Sequence, residues 1–110
     1  MIIEIRHYTL KPGQREAFID FFERKNRAAL RDAGMQVFGP LRDLENADKV
    51  HWMRAFNSLE EREKLKDDFY GGPVWSEEIE PVAMSMIEHY TADLVETTKG
   101  FEDFNGSATI

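Results

Sequence analysis

The stretch IIEIRHYTL carries Glu4, Arg6 and Tyr8 at alternate positions, with Ile3, Ile5 and His7 between them. A period of two is that of a β-strand, so a carboxylate, a guanidinium and a phenol share one strand face. Arginine beside tyrosine can hold a carboxylate, enolate or phenolate, with the phenol donating a further hydrogen bond. The same residues can equally form an ion-pair network that fixes strand register, because a buried ion must be paired. Glu4 and Glu88 with Arg6 and Arg54 supply two charges of each sign for such a network. The candidate ligand-binding residues here are Arg6, Tyr8, Trp52, Arg54, Glu88 and Tyr90.

The three histidines, His7, His51 and His89, invite a metal or acid–base reading. His7 lies late in the first strand and His89 early in the fourth, so the two are placed close together. As a pair beside a carboxylate they are the candidate catalytic residues, suited to proton transfer near neutral pH. His51 opens the third strand, which is read as parallel to the first and therefore puts His51 near the other end of the sheet. Three imidazoles around one metal are not expected on that placement. No metal and no cofactor is expected.

Other chemistry is missing from the sequence. Ser58, Ser76 and Ser85 lack a GxSxG context. There is no phosphate loop and no GxGxxG. Cysteine is absent, which removes thiol catalysis, disulfides and thiolate metal sites together. The acidic runs around Glu60 to Glu63 and Glu77 to Glu80 read as solvated helix faces. A formal net charge of -7 argues against nucleic acid and against an anionic membrane surface. No apolar run approaches the ~20 residues of a membrane span. MIIEIRHY lacks the pattern of a signal peptide, and a cytoplasmic protein is expected.

The elements that must position these residues alternate between two periods. Pro12-Gly13 stops the first strand, and Gln14 to Ala33 follows as an amphipathic helix with Phe18, Phe21 and Phe22 on its apolar stripe. Gly34 stands at its C-terminal end. MQVFGPLRDL is a second strand broken by Gly39-Pro40, and VHWMRAF a third. Ser58 with Glu61 fits a capping box opening a second helix. Gly71-Gly72-Pro73 ends it, Val74 to Val82 adds a short helical piece, and Met84 to Glu96 is the fourth strand. The order βαββαβ predicts an α+β, ferredoxin-like fold within residues 1–96, followed by a tail over 97–110. Strands one and three are central, with strand four beside strand one and strand two beside strand three.

Both sheet faces carry apolar residues. One set holds Ile3, Ile5, Met53, Ala55 and Ile87; the other holds Tyr8, Trp52, Phe56, Met86, Tyr90 and Leu94. Two helices cover only one face, and a monomer rarely leaves a large apolar patch bare. A homodimer with sheets packed face to face is the expected answer.

ExRxYxLxPG, at Glu4, Arg6, Tyr8, Leu10, Pro12 and Gly13, resembles the opening of NIPSNAP-family domains. Trp52, Arg54 and Phe56, then Ser58, Leu59 and Arg62, then Trp75, match further family motifs in order. The resemblance covers roughly residues 2–95. It implies a dimeric α+β barrel, adds Trp75 to the candidate ligand-binding residues, and brings no general reaction with it. The superfamily includes monooxygenase-like and haem-binding relatives. Function is read as binding or transforming a small aromatic or carbonyl-bearing molecule without a nucleotide cofactor. The alternative is a non-catalytic binding or assembly module whose polar residues are structural.

Overall fold

The strand β1 (Ile2–Leu10) lies at the centre of a four-stranded antiparallel sheet of order β2-β3-β1-β4. The computed structural model describes residues 1–98. The expected tail, with Phe101, Phe104 and Ile110, lies outside the described residues from residue 99 on.

After a turn in which Gly13 takes a φ of 79°, the chain forms one long helical stretch. It runs as α1 (Arg15–Phe21), a π-helical turn over Phe22–Asn26, and α2 (Arg27–Asp32). Strand β2 (Gln36–Arg42) pairs with β3 (Lys49–Phe56), and β3 with β1. Gly39 interrupts β2 for a packing reason as well as a conformational one. Its φ is 109°, and a Cβ there would come within 3.0 Å of Trp52 Cβ. Helix α3 (Leu59–Tyr70) starts where Ser58 Oγ accepts from the Glu61 backbone N–H at 3.1 Å. A second π-helical stretch, Val74–Ile79, leads into α4 (Glu80–Met86) and then β4 (Ile87–Glu96).

The expected order βαββαβ and strand arrangement are present. Two details differ. Met84 to Met86 is the end of α4 and not the start of a strand, so Met86 belongs to the helical layer. Strand β3 runs antiparallel to β1 and not parallel to it. The crossover returns β2 parallel to β1, and the β2–β3 turn then reverses the chain.

Tyr8, Leu10, Val37, Val50, Trp52, Phe56 and Ile87 all join the main core cluster with Phe18, Phe22, Leu30 and Ile79 from the helical layer. The β1 register places these sheet residues on the side of Glu4 and Arg6. Ile87 therefore changes sets: a bulge pairs Thr9 with His89 but Leu10 with Ile87, leaving Glu88 as the extra residue. The opposite face presents Ile3, Ile5, His7, Met53 and Ala55. Ile3 and Ala55 are buried there, apart from the main cluster.

Candidate functional site

The polar row of β1 lies beneath the helices. Glu4 is 0% exposed, Arg54 1% and Tyr8 7%, so this is an enclosed face. Glu4 is the hub of three guanidiniums. Its Oε2 accepts from Arg54 Nη2 at 2.7 Å and from Arg6 Nη1, and its Oε1 accepts from Arg62 Nε at 2.8 Å. Burial alone would raise the Glu4 pKa. The hydrogen bond and charge of Arg54, then Arg62 and Arg6, outweigh it and hold the carboxyl at about 2.

Arginine side chains extend the hub into an aromatic wall. Arg6 Nε donates to Tyr8 Oη at 3.2 Å, and Arg54 Nη1 donates to Tyr70 Oη at 2.8 Å. The Arg6 guanidinium lies 5.4 Å from the Tyr90 ring centroid and 5.6 Å from that of Trp52. Tyr70 and Trp75 meet edge to face at 4.8 Å. Burial pushes the Tyr8 phenol up, against the pull of Arg6, so it stays a proton donor.

A cavity of about 800 Å³ opens beside this cluster, between sheet and helices. Of the sequence-derived residues, Arg6, Tyr8, Arg54, Trp75 and Tyr90 line it. Trp52 is buried beneath Arg6 and Arg54. Glu88 does not join the group: as the bulge residue it is exposed and lies outside the cavity lining. Arg62 takes the place expected of Glu88, with the opposite sign. The balance of the cluster changes accordingly. Among the described residues, Arg6, Arg54, Arg62 and the cavity-lining Lys66 stand against Glu4, Glu63, the latter 2.7 Å from Arg62 Nη1, and the cavity-lining Glu80, so the region carries one net positive charge.

Sequence reasoning placed Arg62 only in a family motif, and it missed Asn26 and Tyr70 as cavity residues. A register argument sees neighbours on strands. These three come from helices, and a helix's height and rotation over the sheet are set by packing.

The histidines form a different group on the other face. His7 and His89 do not pair: His89 is exposed opposite Thr9. His7 instead faces His51 directly across the antiparallel register, with their Nδ1 atoms 2.8 Å apart. His7 Nε2 reaches Asp93 at 3.0 Å and His51 Nε2 reaches Asp43 at 2.7 Å. The Asp43 carboxylate only accepts, so His51 Nε2 donates to it. The Asp43 carboxyl is held at about 2, first by His51 and then by the backbone N–H groups of Asn46 and Glu45. No group of three or more His, Asp or Glu among the described residues is arranged to hold a metal ion.

The NIPSNAP family profile matches residues 3–99. An uncharacterized NIPSNAP domain protein from Burkholderia xenovorans superposes with a TM-score of 0.80 at 16% identity, covering 90% of this chain and 96% of that one. A NIPSNAP family protein of unknown function from Agrobacterium tumefaciens gives 0.80 at 21% identity, covering 88% and 87%. A Nitrosomonas europaea protein, provisionally described as an antibiotic biosynthesis monooxygenase, gives 0.63 at 18% identity, covering 88% and 98%. At these identities the likeness is one of fold. No curated protein matches the chain.

Proposed function

This chain belongs to the NIPSNAP family, and from that premise we propose that its helix-covered cavity binds a small monoanion with an aromatic or carbonyl-bearing body, without a nucleotide cofactor. The observation that carries this reading is the net positive charge, among the described residues, of a site in which Arg6, Arg54 and Lys66 line a cavity of about 800 Å³ with Glu80 as the acidic group on its wall. Each guanidinium already meets a carboxylate, but the excess of positive charge on the cavity wall attracts an anion, and a bound monoanion would balance it. Arg6 is the guanidinium placed to receive it, with Tyr8 as donor and Tyr90 and Trp75 as flat walls. Glu4 serves structure: saturated by three guanidiniums and held near 2, it is a poor general base.

The competing reading is an assembly module whose polar residues are all structural. Titration calorimetry with 3-phenylpropanoate and its neutral amide separates the two. The anion-pocket reading expects the acid to bind, the amide to bind at least about tenfold more weakly, and Arg6→Ala to abolish the difference. Equal affinities, or no binding of either, would leave the structural reading.

The same reading takes the protein to be a homodimer. Ile5, Phe38, Met53 and Val95 share the face away from the core cluster, around the buried Ile3 and Ala55, and a second copy is the occupant that matches such a face. Residues 1–96 are taken as the domain and 97–110 as a tail. A cytoplasmic setting accords with the absence of cysteine. Among the described residues, no helix is long and apolar enough to cross a membrane.

A further inference from the structure

Asn26 ends the π-helical turn over Phe22–Asn26, and its side chain lines the cavity. The residue is 5% exposed. Its amide caps no helix and meets no hydrogen-bond partner among the described residues. Buried amides are nearly always partnered, and one left open marks a place where something else supplies the partner. Two polar atoms, Trp52 Nε1 and Arg54 Nε, are fully buried without a hydrogen-bond partner among the described residues. The Asn26 amide differs from them in bordering open space.

Local geometry explains how a mid-helix asparagine comes to face the site. The Arg27 N–H reaches back to Phe22 O, five residues before it, so the turn holds one more residue than an α-turn. Phe22 packs on Trp52 with ring centroids 5.0 Å apart. Asn26 lies one turn along the helix from Phe22, and Arg54 two residues along the strand from Trp52. Both side chains border the same cavity. Three of the four charged groups on the lining, Arg6, Arg54 and Lys66, are cationic and favour Oδ1 toward them, an orientation that leaves the Nδ2 hydrogens for the ligand. The group offered to the ligand is thus a neutral donor, set apart from the cationic ones.

We propose that Asn26 is a specificity-determining residue that donates a hydrogen bond to a carbonyl oxygen of the bound anion, so that the pocket selects oxo acids. The anion faces Arg6 and the ketone faces Asn26. This rests on the anion-pocket reading, and adds to it the second polar group of the ligand.

The test uses matched probes in calorimetry: phenylpyruvate against 3-phenylpropanoate, and 4-oxo-4-phenylbutanoate against 4-phenylbutanoate. Each pair differs by one ketone. At least one keto acid is expected to bind about tenfold tighter than its partner, the worth of one neutral hydrogen bond. Asn26→Leu and Asn26→Ser should both bring that ratio within about twofold while 3-phenylpropanoate keeps its Kd within about threefold. Because the amide has no partner to lose, Tm should hold or rise in at least one of the two variants. Equal binding within both pairs for the unmodified protein would overturn the proposal while leaving the anion pocket standing. So would a keto preference that survives both substitutions, or a tighter, Asn26-dependent binding of phenyllactate, which would make the amide an acceptor. A Tm loss above about 5 °C in both variants would mark the amide as structural and also refute it. Failure of every acid to bind better than a neutral amide would instead reject the underlying pocket reading.

Discussion

Replacing Glu4 by glutamine should be the most damaging isosteric change available in this domain. The substitution Glu4→Gln would keep the shape but not the charge, leaving three guanidiniums around a neutral amide in a position that is 0% exposed. Removing one partner of a buried ion pair costs about 3–5 kcal/mol. The titration of Glu4 gives an independent figure. Its carboxyl falls from an ordinary 4.5 to about 2 on folding, which at about 1.4 kcal/mol per unit is roughly 3 kcal/mol. Against a total of about 5–15 kcal/mol for a domain of this size, that is a large share. Urea denaturation at neutral pH should show the loss, and Tm should fall on the order of 15 °C. The pH dependence carries the more specific signature. Because the folded pKa is the lower one, the stabilisation is complete above about 4.5 and disappears as pH falls toward about 2. Between those values the unfolded chain takes up a proton that the folded chain refuses. Glu4→Gln lacks that proton, so its stability should decline less steeply than the parent's across this window. A variant within about 1 kcal/mol of the parent at neutral pH, with the same acid slope, would refute the placement of an ionised carboxylate at the centre of the cluster.

Arg6→Ala should behave differently from Arg54→Ala. Glu4 keeps Arg54 and Arg62 when Arg6 is removed, so urea denaturation should show a loss below about 1.5 kcal/mol, with anion binding abolished. Arg54 is fully enclosed, and its removal should cost about 3–5 kcal/mol. On the far face, His51→Ala removes the leading cause of the low Asp43 pKa, and carbon-13 NMR should show that carboxyl titrating well above its value of about 2 in the parent. Sedimentation equilibrium should find a dimer at micromolar concentration, and monomer alone would reject the face-to-face arrangement. Elemental analysis of the purified protein should find no stoichiometric zinc or iron; one metal per chain would overturn that expectation.

Much of the fold was legible in local sequence. Period-two alternation marked β1, the Phe18, Phe21 and Phe22 stripe marked the first helix, and Ser58 with Glu61 marked the start of α3. These signals survive because each depends on residues within one turn or one strand. The alternation also showed that Glu4, Arg6 and Tyr8 share a face and invited an ion-pair reading. It could not show which face the helices cover, since period two is the same on either side. A row of Glu, Arg and Tyr is tolerated in the interior only when its charges are paired, and Arg54 and Arg62, 50 and 58 residues away from Glu4, supply that pairing. The bulge at Thr9 and Leu10 was equally invisible, and one inserted residue was enough to turn Glu88 out and Ile87 in. The His7–His51 contact followed from strand direction, which depends on how the intervening helix crosses the sheet. Asn26 carried no sequence signal, because an asparagine in an amphipathic helix is ordinary until packing and a π-helical turn bring it against a cavity. Local spacing sets the elements and the pairs of residues that must share a face. Long-range packing decides which face is dry, which charges meet there, and which polar group is left without a partner.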